Sequence, residues 1–269
     1  MTPPSDLERI VQVDGAVFRV LSSGGPSPSG AAAFILIHGI GTSHRYLSRL
    51  HEELARDAEV LSFDLPGFGG LPKPDAPPSV RDMARALASV VDHLGVTSAV
   101  LVGHSMGAQW VVELAASRPD LAAAVVLIGP VADDEHRTAS AQATALVRDV
   151  LGEPPSANAV VLLDYLRCGP AWFLKHLRHM IAYPIEERIA GVVAPLLVIR
   201  GGEDPIAGAE WCRRLRWNAP DGSLVVVPGS RHVVQYTAAS SVASAIRAFI
   251  ARTRTDESNR TEAVTVSSR

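Results

Sequence analysis

Val100-Leu101-Val102-Gly103-His104-Ser105-Met106-Gly107-Ala108-Gln109 carries an apolar run into G-x-S-x-G and out again into residues at helical spacing. Ser98 to Val102 reads as a buried strand, and Trp110, Val111, Leu114 and Ala115 mark one face of a helix. A strand that becomes a helix within so few residues must turn sharply, and a side chain at Gly103 or Gly107 would collide with the crossing backbone. Glycine has no Cβ and fills both places. The turn lifts the Ser105 hydroxyl clear of a sheet and aims main-chain N–H groups at whatever it attacks. Ser105 is therefore the candidate nucleophile; the bland alternative is a small buried residue in a tight turn.

The stretches on either side repeat the pattern. Ala33-Phe34-Ile35-Leu36-Ile37 is a run suited to a strand buried on both faces and ends in His38-Gly39-Ile40-Gly41. Val60-Leu61-Ser62-Phe63 stops at Asp64-Leu65-Pro66-Gly67-Phe68-Gly69, and Ala123 to Ile128 follows the elbow helix. Between them, Tyr46, Leu47, Leu50 and Leu54 share one helical face, and Ser79 with Asp82 forms a capping box before Met83, Leu87, Val90, Val91 and Leu94. Strand and helix alternate, which specifies a parallel sheet with right-handed crossovers. Ahead of it, Ile10–Val13 and Ala16–Leu21 flank Asp14-Gly15 as an antiparallel hairpin, and residues 24–30 read as a loop.

From Val131 to Val193 the alternation stops and amphipathic helical segments replace it. The sheet resumes at Leu196–Gly201 and at Leu224–Val227, and Val242, Ile246, Phe249 and Ile250 form a closing helical stripe. The expected organisation is an α/β core over 1–130 and 194–252, a helical lid over 131–193, and a polar, disordered tail over 253–269.

At 269 residues and 47% hydrophobic, the chain can cover both faces of one large sheet without a second full domain. A net charge of -3 gives no basic excess for nucleic acid. The two cysteines, Cys168 and Cys212, read as free buried thiols. The first residues contain no apolar signal region and no run reaches the length of a membrane span, so the expectation is a cytoplasmic protein, monomer or homodimer, with no membrane partner.

With Ile37-His38-Gly39, Asp64-x-x-Gly67-x-Gly69, Gly103-x-Ser105-x-Gly107, Gly202-Glu203-Asp204 and Gly229-Ser230-Arg231-His232 in order, the chain resembles the serine-nucleophile branch of the α/β-hydrolase superfamily over residues 10 to 252. The resemblance implies an α/β-hydrolase fold whose lid is inserted after the sixth strand. It also implies a Ser105, Asp204, His232 triad, with oxyanion donors at the main-chain N–H groups of Ile40 and Met106.

A serine hydroxyl needs a base, and His232, at a strand end, has a near-neutral pKa suited to it. Asp204 would hold the imidazole tautomer and stabilise the imidazolium. Asp133 and Asp134, after the preceding strand, are rival acids. His38 and His104 are expected to be structural, and Asp64 to tie down its own loop. Tyr165, Trp172 and Phe173 in the lid are the candidate substrate-binding residues, with Tyr183 a further aromatic there. His176 and His179 lie three apart but lack a third ligand, so they are read as solvated lid residues and no metal or other cofactor is expected.

The chemistry so implied is acyl transfer to water: a carboxylic-ester hydrolase acting on a small-molecule ester or lactone of small to medium, apolar character. Two alternatives stay open. One is a carbon–carbon bond hydrolase of diketone or dienol-ketone substrates, against which stand Val233 after the histidine and the Gly39-Ile40-Gly41-Thr42 loop. The other is a hydrolase-fold ligand-binding protein with little turnover.

Overall fold

A computed structural model describes residues 7–24 and 32–267, except for the side chains of residues 139, 142, 143 and 256–267. Eight strands form one sheet: β1 (Leu7–Val13), β2 (Ala16–Ser23), β3 (Ala33–Ile37), β4 (Val60–Asp64), β5 (Ala99–His104), β6 (Ala122–Ile128), β7 (Leu196–Gly201) and β8 (Gly222–Val227). Their order across the sheet is β1-β2-β4-β3-β5-β6-β7-β8. The β1–β2 and β2–β4 pairs are antiparallel and every other pair is parallel. The opening hairpin turns at Asp14 and Gly15, both at positive φ (50° and 79°), as a two-residue turn matched to strand twist demands. The loop expected after it lies, beyond Gly24, outside the described residues.

Every residue of β3, β4, β5 and β7 is buried, which is why those strands read as unbroken apolar runs rather than alternating ones. Helices α1 (Ser48–Leu54), α2 (Val80–His93) and α3 (Gly107–Ser117) fall in the first half of the chain. The Ser79 hydroxyl accepts from the Asp82 amide and the Asp82 carboxylate accepts from the Ser79 amide, so the capping box forms. On one side of the sheet Met83, Leu87 and Val90 of α2 pack with Trp110 and Leu114 of α3. On the other, Leu50 and Leu54 of α1 pack with Val242, Ile246 and Phe249 of the last helix. Each such burial contributes about 1.5–3 kcal/mol.

Between β6 and β7 lie α4 (Ala139–Val150), α5 (Pro155–Cys168), α6 (Pro170–Ala182) and the single turn α7 (Ile185–Arg188). Polar ties fasten them to the core. Gln109 of α3 donates through Nε2 to the Met180 carbonyl at 2.9 Å, and Glu113 receives the Tyr183 hydroxyl at 2.8 Å and the Arg188 guanidinium at 2.9 and 3.1 Å. Asp164 of α5, itself buried, receives the Ser43 hydroxyl at 2.6 Å and Arg45 Nη2 at 3.0 Å.

After β7 come α8 (Ala209–Asn218), α9 (Val234–Thr237) and α10 (Ala239–Ser267). Helix α10 runs through most of the stretch expected to be a disordered tail, a correction with a simple cause: no glycine or proline follows Gly229 to break it. Cys168 and Cys212 are free and buried, and burial pushes their thiols up to about 11 and about 12. Among the described residues no helix is long and apolar enough to cross a membrane.

Candidate active site

The elbow has the geometry its glycines require. Ser105 sits at φ 57°, a left-handed conformation uncommon for any residue but glycine, and its N–H donates to the Ile128 carbonyl at the end of β6 (2.9 Å). A Cβ on Gly103 would strike the main chain of Gly107, and one on Gly107 would strike the carbonyls of Ile37 and His38. One residue further along the neighbouring loop, a Cβ on Gly39 would stand 2.9 Å from the Ser105 Cβ. The loop after β3 therefore lies directly against the serine.

His38 braces that loop. Its Nε2 accepts from the Leu65 N–H at 3.2 Å, so the ring is the neutral tautomer whose Nδ1–H donates to the Gly39 carbonyl at 2.7 Å. Burial keeps it neutral by lowering its pKa. Among the described residues neither Ile40 nor Met106 donates its N–H to another main-chain group.

Asp204 and His232 meet. Asp204 Oδ2 lies 2.9 Å from His232 Nδ1, while Oδ1 accepts from the N–H groups of Ile206 and Ala207 at 2.8 and 2.9 Å. Arg200, a buried strand residue, fixes this turn by donating to the carbonyls of Ala207 (2.8 Å) and Asp204 (3.2 Å). Burial alone would raise the Asp204 pKa, but the imidazole and the two amides hold it below the usual range. Burial likewise works against a charged His232, and Asp204 outweighs it, so that pKa is raised. A Cβ on Gly129, next after the carbonyl that anchors Ser105, would touch the His232 ring at 3.0 Å.

Ser105 and His232 open into one cavity of about 230 Å³, walled chiefly by apolar residues of the helices between β6 and β7, the stretch expected to be a lid, and of the loop after β3. Tyr165 and Phe173 line it, their rings 5.1 Å apart. Trp172 does not: it packs on Gly67 and against His176. Successive helical residues point about 100° apart, and here Phe173 and Leu174 face the cavity while Trp172 is turned towards Gly67. Tyr183 is spent on Glu113.

Other expectations need adjusting. His176 is fully buried, its ring against Phe68 and Trp172, rather than solvated. Asp133 and Asp134 are taken by Arg214 of α8 at 2.6 and 2.7 Å. Asp64 bridges Arg19 of β2 and the His44 amide, both at 2.6 Å, rather than only its own loop. His104 donates from Nε2 to the His232 carbonyl at 3.0 Å, and burial pulls its pKa down to about 3.

Asp149 and Glu153 are additional to the residues expected from sequence. They are only 3% and 7% exposed. Their carboxylates accept from the main-chain N–H groups of His232 (3.2 Å) and Val233 (2.9 Å). An acidic pair at the end of an amphipathic lid helix was the one signal available.

An eight-stranded, mostly parallel sheet with a serine at the sharp turn after its central strand defines a hydrolase of the α/β type. The chain belongs to the alpha/beta hydrolase family, whose family model matches residues 34–245. It is similar to a dihydrolipoyllysine-residue acetyltransferase component of an acetoin cleaving system from Pseudomonas putida, 28% identical over 258 residues, 89% of this chain and 68% of that protein. It is also similar to lipase LipV of Mycobacterium tuberculosis, 36% identical over 133 residues, 49% of this chain and 50% of that one. A 2-hydroxy-6-oxononadienedioate/2-hydroxy-6-oxononatrienedioate hydrolase of Burkholderia vietnamiensis is 25% identical over 270 residues, 89% of this chain and 93% of that protein. Among solved structures, a bacterial membrane phospholipase A superposes with a TM-score of 0.78 at 23% identity, over 93% of this chain and 87% of that one.

Proposed function

We propose that the protein is a serine carboxylic-ester hydrolase acting on a small to medium, apolar ester or lactone. Ser105 Oγ attacks the carbonyl carbon while His232 takes its proton. The oxyanion that forms is received by the main-chain N–H groups of Ile40 and Met106. His232 then returns the proton to the leaving alkoxide, and the acyl group stays on Ser105. In the second half water attacks the acyl carbon, His232 again accepts and returns a proton, and the acid departs. Asp204 fixes the tautomer and balances the imidazolium.

The observation that carries this reading is the Asp204–His232 hydrogen bond at 2.9 Å, with that imidazole opening into the cavity that the elbow serine also lines. The substrate class rests on the walls of the cavity: among the described residues that line it there is no lysine or arginine, and the one carboxylate is Asp149.

The carbon–carbon bond hydrolase reading has support from the full-length similarity to the Burkholderia enzyme. By its name that enzyme acts on a dianionic compound, and a cavity without a cation is a poor receptor for two carboxylates. A fluorophosphonate probe and a panel of nitrophenyl esters set against a dienol-ketone separate these readings. Rapid labelling that is lost in Ser105→Ala, together with ester turnover, is the expected result. Preference for the dienol-ketone by orders of magnitude overturns the ester assignment, and a folded protein inert to the probe and to every ester would be a ligand receptor.

A further inference from the structure

We propose that the lid turn 148–153 is a positioning device for the histidine loop, so that closure of the lid sets the imidazole of His232 in its working place. The inference rests on the assignment of His232 as the base. Three consecutive residues of that loop each engage the turn that ends α4. Arg231 Nη1 donates to the Arg148 carbonyl at 3.1 Å, the His232 N–H to Asp149 Oδ1 at 3.2 Å, and the Val233 N–H to Glu153 Oε1 at 2.9 Å. Some 80 residues separate the partners of each pair.

Among the described residues the hydrogen bonds of these two buried carboxylates go to the histidine loop, and burying them is costly: desolvation raises the pKa of both. Their acceptor oxygens are used on main-chain donors of the catalytic loop. From the opposite side His104, the elbow residue before Ser105, donates to the His232 carbonyl at 3.0 Å. The main chain of His232 is thus held at its N–H by the lid and at its C=O by the elbow, while Asp204 holds the ring. With the lid displaced, the hold on the His232 N–H and those on Arg231 and Val233 go at once, and the imidazole is free to shift within the cavity.

The groups that act on the His232 ring are Asp204 from the loop after β7, Asp149 and Glu153 from the lid turn, and His104 from the elbow, whose ring centroid lies 4.8 Å away. Arg231, on the same loop, acts on both lid carboxylates. Glu153 is the cleaner residue to change, because Asp149 also lines the cavity.

Glu153→Ala is expected to lower kcat and the rate of fluorophosphonate labelling by about 10²-fold, the usual consequence of misplacing a reacting group by about 1 Å, with KM changed less than about twofold. Glu153→Gln keeps an acceptor oxygen and recovers most of the rate. It also removes a negative charge, so the acid limb of the pH–rate profile and the NMR titration of the His232 ring both move to lower pH. Labelling of Glu153→Ala at the wild-type rate, or a Glu153→Gln ring titration that coincides with wild type, overturns the proposal. The titration needs neither turnover nor Glu153→Ala. A wild type that does not label at all sinks the ester-hydrolase reading and leaves the titration to decide the coupling.

Discussion

At the residue level His232 carries two opposed pH dependences. Its folded pKa is raised, so the proton is bound more tightly in the folded chain than in the unfolded one. The stability gained is present in full below the unfolded value of about 6.5 and is lost as pH rises through the folded value. The mechanism proposed above uses the neutral ring as base, so kcat/KM is expected to rise over the range in which this stabilisation disappears. Asp204→Asn, which gives up the imidazolium partner, is expected to lower kcat by about 10⁴-fold and to shift the acid limb to lower pH, as steady-state kinetics across pH would register. His104 and His176 have the opposite sign, with folded pKa values lowered to about 3 and about 4 by burial. Each contributes fully above about 6.5, and the contribution is lost as pH falls toward its folded value, because only the unfolded chain takes up the proton readily. His176→Leu, close in volume, should therefore flatten the fall of Tm between neutral pH and about pH 4, as calorimetry would show; an unchanged slope would mean the ring is not the group responsible.

Elements meet at two kinds of place, and only one of them was legible beforehand. The elbow was, because glycine is required wherever two backbones approach. Gly107→Ala, whose Cβ would meet the Ile37 and His38 carbonyls, is expected to cost more than about 3 kcal/mol in urea unfolding. The lid attachments were not. Asp164 is fastened to Ser43, 121 positions earlier, and Asp149 to His232, 83 positions later; in sequence each is one more acid on an amphipathic helix. Trp172 and Phe173 failed as a pair for a related reason, since composition names aromatic residues without saying which way each helix is rotated. Asp164→Ala leaves the buried Ser43 hydroxyl without its acceptor. The expected loss is about 1–3 kcal/mol, felt mostly by the lid. Limited proteolysis should cut within 139–170 sooner than in wild type while the core survives.

Across the whole molecule, the strands buried on both faces were legible as unbroken apolar runs, and the candidates Ser105, Asp204 and His232 were picked out by their places just beyond strand ends; the order of the strands was not legible in that way. The shape of the cavity does not follow, because it is made where the lid meets the loop after β3. At about 230 Å³ it is smaller than the cavities that take drug-sized ligands. Among nitrophenyl esters, butanoyl is accordingly expected to be turned over with a higher kcat/KM than dodecanoyl; the reverse order would require the lid to stand open during catalysis.

The two buried thiols lie in different layers, Cys168 at the end of a lid helix and Cys212 in a helix of the core. Only the thiolate reacts with disulfide reagents, and both groups are hidden and held protonated while the protein is closed. Each modification event therefore records an excursion of the layer that contains it, and the chain comes with a separate clock for each. Trapping followed by peptide mass analysis should find Cys168 modified at denaturant levels that leave Cys212 untouched, so that the free energy of detaching the helices over the cavity can be read apart from that of losing the fold.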